Sequence, residues 1–302
     1  MWFRNLRIYT LAPDFSVPEQ LDQALEPMRF KPCGRSEMAS FGWASPFGRD
    51  SEVLFHKIGP CYLVSARKEE KVLPSSVVNA QLDELVAQRE AELARKLPSK
   101  EKQAMKEDLI HRLLPQAFSK FKQVAAMIDT QLGIVAVDAS SASAAEDVLG
   151  LLRSSFGSLP VKPWFAEHPS ELYFTQFLRQ QQLADGFEFG DEVELRDANE
   201  SGAVVRCRQH DLSGTEIETH LAHNKQVTKL GLIWQQRVQF VLEQDLAIKR
   251  FKATDVLVDE QDKLVDATPE QRIDADFALL SGEIGQLFPQ LVSLFQTELS
   301  VN

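Results

Sequence analysis

Apolar and polar residues alternate from Trp2 to Leu11, the period of a strand with one buried face. Pro18-Glu19 then opens a short helix through Leu21, Leu25 and Met28. Residues 32–48, rich in Gly, Pro and Ser, predict an ordered loop carrying Phe41, Trp43 and Phe47. Two strands follow near 52–58 and 60–67, turning at Gly59-Pro60. The period then changes. Val78, Leu82, Leu85, Val86, Leu93 and Leu97 recur at helical spacing, enough for about five turns. Pro98 breaks that helix, and Ser75-Ser76 and Ser99 stand where side chains cap helix starts. A second helix runs through Met105, Leu109, Ile110, Leu113 and Leu114. So short a connection favours antiparallel packing, an αα-hairpin.

Strand periodicity returns at 122–128 and 133–138, around the turn Asp129-Thr130-Gln131-Leu132. A helix at 141–156 and a boundary at Gly157-Ser158-Leu159-Pro160 follow. The remainder predicts a helix near 169–183, strands near 192–196 and 203–208, and a helix near 214–223. Three more strands fall near 227–235, 237–243 and 247–252. A C-terminal helical stretch over 268–300, interrupted at Pro289, carries Phe277, Leu280, Ile284, Leu287, Leu291, Leu294 and Phe295. The expected class is α+β, with mixed sheets, an extended αα-hairpin arm and a second α+β region. Residues 1–75 and 121–160 would form a central domain, 76–120 the arm, and 161–302 a C-terminal domain with an acidic helical tail. A chain of 302 residues exceeds one ordinary core, so several subdomains are expected.

Charge adds a partner to this picture. The chain carries a net −11, yet Arg89–Lys122 holds nine Lys/Arg against five acids, and Lys225–Lys252 six against two. The last fifty residues reverse this, with ten acids against two. Segregated positive charge on an acidic chain points to a polyanion met from one side. Arg95, Lys96, Lys100 and Lys102 surround the Pro98-Ser99 turn, and Arg67, Lys68 and Lys71 precede the hairpin. Such cations meet phosphates without reading bases. Arg89, Lys120, Lys122, Arg206, Arg208, Lys225 and Lys229 join them as candidate DNA contacts. Phe118-Ser119-Lys120-Phe121-Lys122 interleaves aromatics with cations, a pattern that fits nucleic acid or a subunit interface. Phe118 either plugs into a partner or packs against the hairpin.

Catalytic signatures are absent: no phosphate-cradling glycine loop, no nucleophile elbow, no zinc-protease helix. Asp14 with Glu69 and Lys71 resembles a Mg²⁺ nuclease grouping, although widely spaced, and solvated loop charges are the plainer reading. Plasmid incubated with protein and Mg²⁺ separates the two, since a binder leaves it intact. His220 and His223 lie one turn apart without further ligands, so no metal is expected. The four tryptophans are expected in the core or an interface. Three cysteines without metal spacing fit reduced thiols of a cytosolic protein. No apolar run spans a membrane, and the N-terminus reads as a strand rather than a signal peptide.

The run Ala66-Arg67-Lys68-Glu69-Glu70-Lys71-Val72-Leu73-Pro74 resembles the RdgC family of proteobacterial recombination-associated proteins. So do Phe30-Lys31-Pro32-Cys33-Gly34, Leu113-Leu114-Pro115-Gln116-Ala117-Phe118-Ser119, Val227-Thr228-Lys229-Leu230 and Asp274-Ala275-Asp276-Phe277, in the family's order. Leu151-Leu152-Arg153 with Gly157-Ser158-Leu159-Pro160 completes the set. The resemblance implies a cytoplasmic, nucleoid-associated, non-enzymatic protein without cofactor that binds duplex DNA without sequence preference. It further implies a ring-shaped homodimer encircling the duplex and restraint of RecA-driven strand exchange. Phe118 would help close the gate between arms, with Arg95 a basic gate residue. Gln209 and His210 fall at the other subunit contact, where the family pattern carries Lys-Gln. Gln116 replaces an arginine, so one gate cation is missing. A rival reading makes the acidic tail a direct RecA contact, which binding to RecA without DNA would reveal.

Overall fold

The computed structural model describes residues 2–197, 202–261 and 268–296. Its first half runs β1 (Arg7–Leu11), α1 (Leu21–Leu25), β2 (Ala39–Ala44), β3 (Phe55–Ile58), β4 (Cys61–Val72), α2 (Ser75–Leu93) and α3 (Ser99–Leu113). Then come β5 (Phe118–Asp129), β6 (Ile134–Val137), α4 (Ala142–Phe156) and β7 (Val161–Pro163). These strands form one sheet in the order β2-β4-β5-β6-β1-β7, with β3 beside the start of β4. The second half supplies α5 (Ser170–Gln180), β8 (Phe187–Asp197), β9 (Val204–Arg208), α6 (Thr215–Ala222) and β10 (Lys225–Trp234). It closes with β11 (Val238–Glu243), β12 (Ile248–Ala253), α7 (Asp255–Gln261) and α8 (Pro269–Leu294). Its sheet has the order β12-β11-β10-β8-β9.

The class is α+β, and the described strand pairs are antiparallel rather than mixed. Tight hairpins and returning connections make that pairing, since parallel neighbours need long crossovers.

One face of the first sheet packs on α1 and α4, burying Tyr9, Trp43, Val64, Ile128 and Leu149. Its opposite face, with Ile8, Leu63 and Met127, shares a core with the second sheet and α8. Leu6 and Ile248 exchange backbone hydrogen bonds of 2.8 and 3.0 Å, tying the two sheets together. All four tryptophans pack inside or against these cores.

Several elements differ from the expected ones. Residues 39–44 are a strand, not loop, because Trp43 drops into the core while Gly42 lets another segment cross its face. Strand β4 runs on to Val72, since β5 starts at Phe118 and pairs with it through Val72. The charges of Arg67–Lys71 hide that strand from any burial pattern. Ser75 and Ser99 do not cap; each is the first helical residue, and Pro74 and Pro98 before them take the N-cap position, one step ahead of the N1 that proline favours. Ser141 does cap α4, accepting from the Ala144 amide.

Pro289 leaves α8 continuous. Burial of Phe277, Leu280, Ile284, Leu287, Leu291 and Leu294 outweighs the ~3 kcal/mol of an interior proline. This stretch is therefore a core helix along its apolar face. Glu283 is buried against Arg237, and Asp274 pairs with His56. Residues 297–300 of the expected helical range lie outside the described residues. No described helix is long and apolar enough to cross a membrane.

Candidate nucleic-acid interface

Three basic surfaces emerge. The first is the outer end of the β4–β5 ladder, where residues facing one another across the strands share a side. Lys68 lies opposite Lys122, Glu70 opposite Lys120, and Lys71 opposite Ser119. Like charges facing each other repel, and Lys68 is relieved by Glu70 at 2.8 Å and Asp147 at 3.8 Å. Glu69, itself buried, accepts from the Ser119 hydroxyl at 2.6 Å and the Cys33 amide at 2.9 Å. Those hydrogen bonds, that from Ser119 foremost, hold its carboxyl below the usual range. Alternation along the strands divides these charges between two faces: Lys68, Lys120 and Lys122 against Glu70 on the side of α4, a net +2, and Arg67 and Lys71 against Glu69 on the other, a net +1.

The second surface is the turn between α2 and α3, which pack side by side. Its cations largely bring their own counter-ions. Lys96 and Lys102 both reach Glu90, at 2.8 and 3.2 Å, and Arg95 reaches Glu101 at 3.0 Å. Arg89 pairs with Glu92 on the same helix, and Lys100 is exposed. Five cations against three acids leave +2 over residues 89–102. The predicted apolar stripe of α2 is only half-buried: Val78 is enclosed, but Leu93 is exposed.

Glu90 organises that turn. The hydrogen bond from Lys96 and that from the Leu97 amide, reinforced by Lys102, pull its carboxyl down to about 2. A lowered folded-state pKa contributes stability above the ordinary glutamate range that is lost as pH falls through about 2. Acidification across that window should therefore lower the protection of the Leu97 amide, its exchange rate relative to that of an unstructured amide at the same pH, ahead of the sheets. In Glu90→Gln the Leu97 amide should exchange fast already at neutral pH, without that acid step.

The third surface is the outer face of the second sheet, where charges alternate in sign across all five strands. Lys249 on β12 reaches Glu243 at 3.5 Å, and Glu243 reaches Lys229 at 2.9 Å. Lys229 approaches Glu194 at 3.8 Å, which Arg206 grips at 2.7 Å. Burial pushes the Glu194 carboxyl up, but hydrogen bonds from Arg206 and Thr228 and the charge of Lys229 outweigh it and hold it low. One row over, Glu192 meets Arg208 at 3.8 Å and also bonds Arg250. These five cations and three carboxylates line one cleft of about 330 Å³. Lys249 and Arg250, counted within the basic run Lys225–Lys252, were not named as contacts: Ile248-Lys249-Arg250-Phe251 breaks strand alternation, and an irregularity at Arg250 (φ 51°) interrupts the pairing of β11 with β12. Lys225 starts β10 opposite Asp197, at the sheet's end.

The remaining predicted residues separate. Phe118 stands 86% exposed at the start of β5, opposite an exposed Val72, so it does not pack on the hairpin. Gln209 and His210 follow β9 and line a larger cleft of about 820 Å³ beside Arg250 and Lys252. Gln209 takes a left-handed backbone (φ 51°), and His210 Nδ1 lies 2.8 Å from the Asp211 carbonyl.

The nuclease grouping is not assembled. The end of β1 before Asp14 lies level with Cys61 across the sheet, while Glu69 sits eight residues along β4, ~26 Å away. Among the described residues no cluster of His, Cys, Asp and Glu is arranged to hold a metal.

A family pattern described as "Putative exonuclease, RdgC" matches residues 1–298. Proteins named recombination-associated protein RdgC from Salmonella typhimurium and Salmonella typhi are each 44% identical over 293 residues, covering 97% of this chain and 97% of their own. The protein of that name from Salmonella newport matches to the same extent. With the pattern and the relatives both running nearly end to end, the chain belongs to the RdgC family.

Proposed function

We propose that this protein binds double-stranded DNA without sequence preference, as a two-fold dimer closed into a ring around the duplex. One observation carries the reading: a chain at −11 gathers net positive charge at the end of the β4–β5 ladder, at the α2–α3 turn and in the cleft of the second sheet. An outer surface left anionic repels stray DNA, and phosphates find attraction only where the cations gather. The named relatives support a place in recombination. Occupying the duplex antagonises RecA-promoted strand exchange with no direct contact to RecA, and places the protein in the cytoplasm at the nucleoid.

In this reading α2 and α3 form an arm. Their half-buried apolar stripe and the exposed Phe118 beside the arm's base supply one self-complementary contact, and Gln209 and His210 the second. The role is binding alone, without cofactor or catalysis. Asp14 and Glu69 at opposite ends of the sheet speak against the nuclease alternative.

Phe118→Ala should weaken the dimer roughly 30-fold or more, the effect of removing an interface anchor, while circular dichroism stays unchanged. Sedimentation velocity over a dilution series reads the change; an unchanged dimer would remove Phe118 from the contact.

A further inference from the structure

We propose that the cleft where the segment after α1 crosses β2 is a binding site for an unpaired nucleotide of a DNA strand. The cleft encloses about 420 Å³, room for one nucleotide, and it is walled by both cations and aromatic rings. The Arg67 guanidinium is held between two rings, 5.1 Å from the Phe30 centroid and 4.5 Å from that of Phe121. That sandwich fixes the plane of the guanidinium and leaves its edge donors free for a phosphate. Among the described residues Arg67 has no carboxylate within 4 Å, and neither does Arg49, which lines the same cleft. Arg29, by contrast, is spent on Glu26 and Glu52. Phe121 is 47% exposed and offers a flat apolar surface on which a base can stack.

The backbone builds this site deliberately. Phe30 reaches Arg67 because its segment lies directly on Gly42: a Cβ there would stand 2.6 Å from Phe30 Cα and 2.7 Å from the Met28 carbonyl oxygen. The Phe30 amide bonds the Trp43 carbonyl at 2.8 Å, which pins the crossing. A duplex keeps its base faces stacked and cannot use Phe121; an unpaired base can. The inference rests on the DNA-binding reading for the strand's attraction, but not on the closed ring.

The test titrates a labelled single strand of about 16 nucleotides and the matching duplex with wild type and Phe121→Ala. Loss of one stacked base should weaken the single strand about 5- to 150-fold and the duplex less than about 2-fold. Arg49→Gln, on an exposed loop, serves if Phe121→Ala misfolds, and should likewise weaken the single strand more than the duplex. Equal losses on both DNAs, or none, would overturn the site. Displacement of the strand by equimolar deoxyadenosine monophosphate would overturn the strand assignment in favour of free nucleotides. If wild type binds the single strand but not the duplex, the ring reading fails and the cleft stands; if it binds neither, both fail.

Discussion

Raising monovalent salt from about 50 to 200 mM should lower duplex affinity about 10³–10⁵-fold, the result of neutralising roughly six to ten phosphates. The ion pairs decide how many cations are available for that exchange. Lys96, Lys102, Arg95, Arg206 and Lys229 already have carboxylates within about 4 Å, and a phosphate reaching them must displace a partner. Of the predicted contacts, Arg67, Lys100, Lys120, Lys122 and Lys225 have no such partner among the described residues. Five per chain make ten in a dimer, inside the range required, whereas the five of one protomer fall short. Fluorescence anisotropy at a series of salt concentrations gives the slope. A nearly flat plot would mean that few phosphates are neutralised, and the electrostatic grip would have to be abandoned.

Arg237→Ala should destabilise the fold by ~3–5 kcal/mol, more than any surface substitution, because it strands a buried carboxylate. Arg237 donates to one oxygen of Glu283 from Nε at 2.9 Å and from Nη2 at 2.7 Å. Glu283 is 3% exposed, and its other oxygen has no hydrogen-bond partner. Without the guanidinium the charge would sit on α8 between the buried Leu280 and Leu287, one turn to either side, with no other ion-pair partner among the described residues. Removing both partners, as in Arg237→Ala with Glu283→Ala, should recover part of the loss, since no charge then remains buried. Urea unfolding of the two variants measures this. A double variant less stable than Arg237→Ala would show that the pair stabilises the α8 contact in its own right.

Much of the architecture was legible because its signals are local. Val148, Leu149 and Leu152 repeat at helical spacing behind Ser141, and the helix forms there. The apolar strands β6, β10 and β11 fall close to where alternation put them. Strand β2 and the far end of β4 were not legible. Ala39–Ala44 has a loop's composition, and Arg67–Val72 is a charged run whose backbone partners lie some fifty residues on. Hydrogen bonding to β5 makes it a strand, and no periodicity reports that.

The candidate interface divides in the same way. That Arg95, Lys96 and Lys102 crowd one turn follows from their order in the chain, as does the sign of each segment, whereas sequence left open whether Phe118 packs on the hairpin or stands clear of it. Which cations are free was settled only by folding. The register of β8, β9 and β10 sets Glu194 between Arg206 and Lys229, and the crossing over Gly42 brings Phe30 onto Arg67. Sequence alone determined where helices run and where charge accumulates, because both depend on near neighbours along the chain. Tertiary structure decided which charges are neutralised and which rings meet a cation, because Coulomb attraction and stacking act over a few ångströms between residues that the chain itself holds far apart.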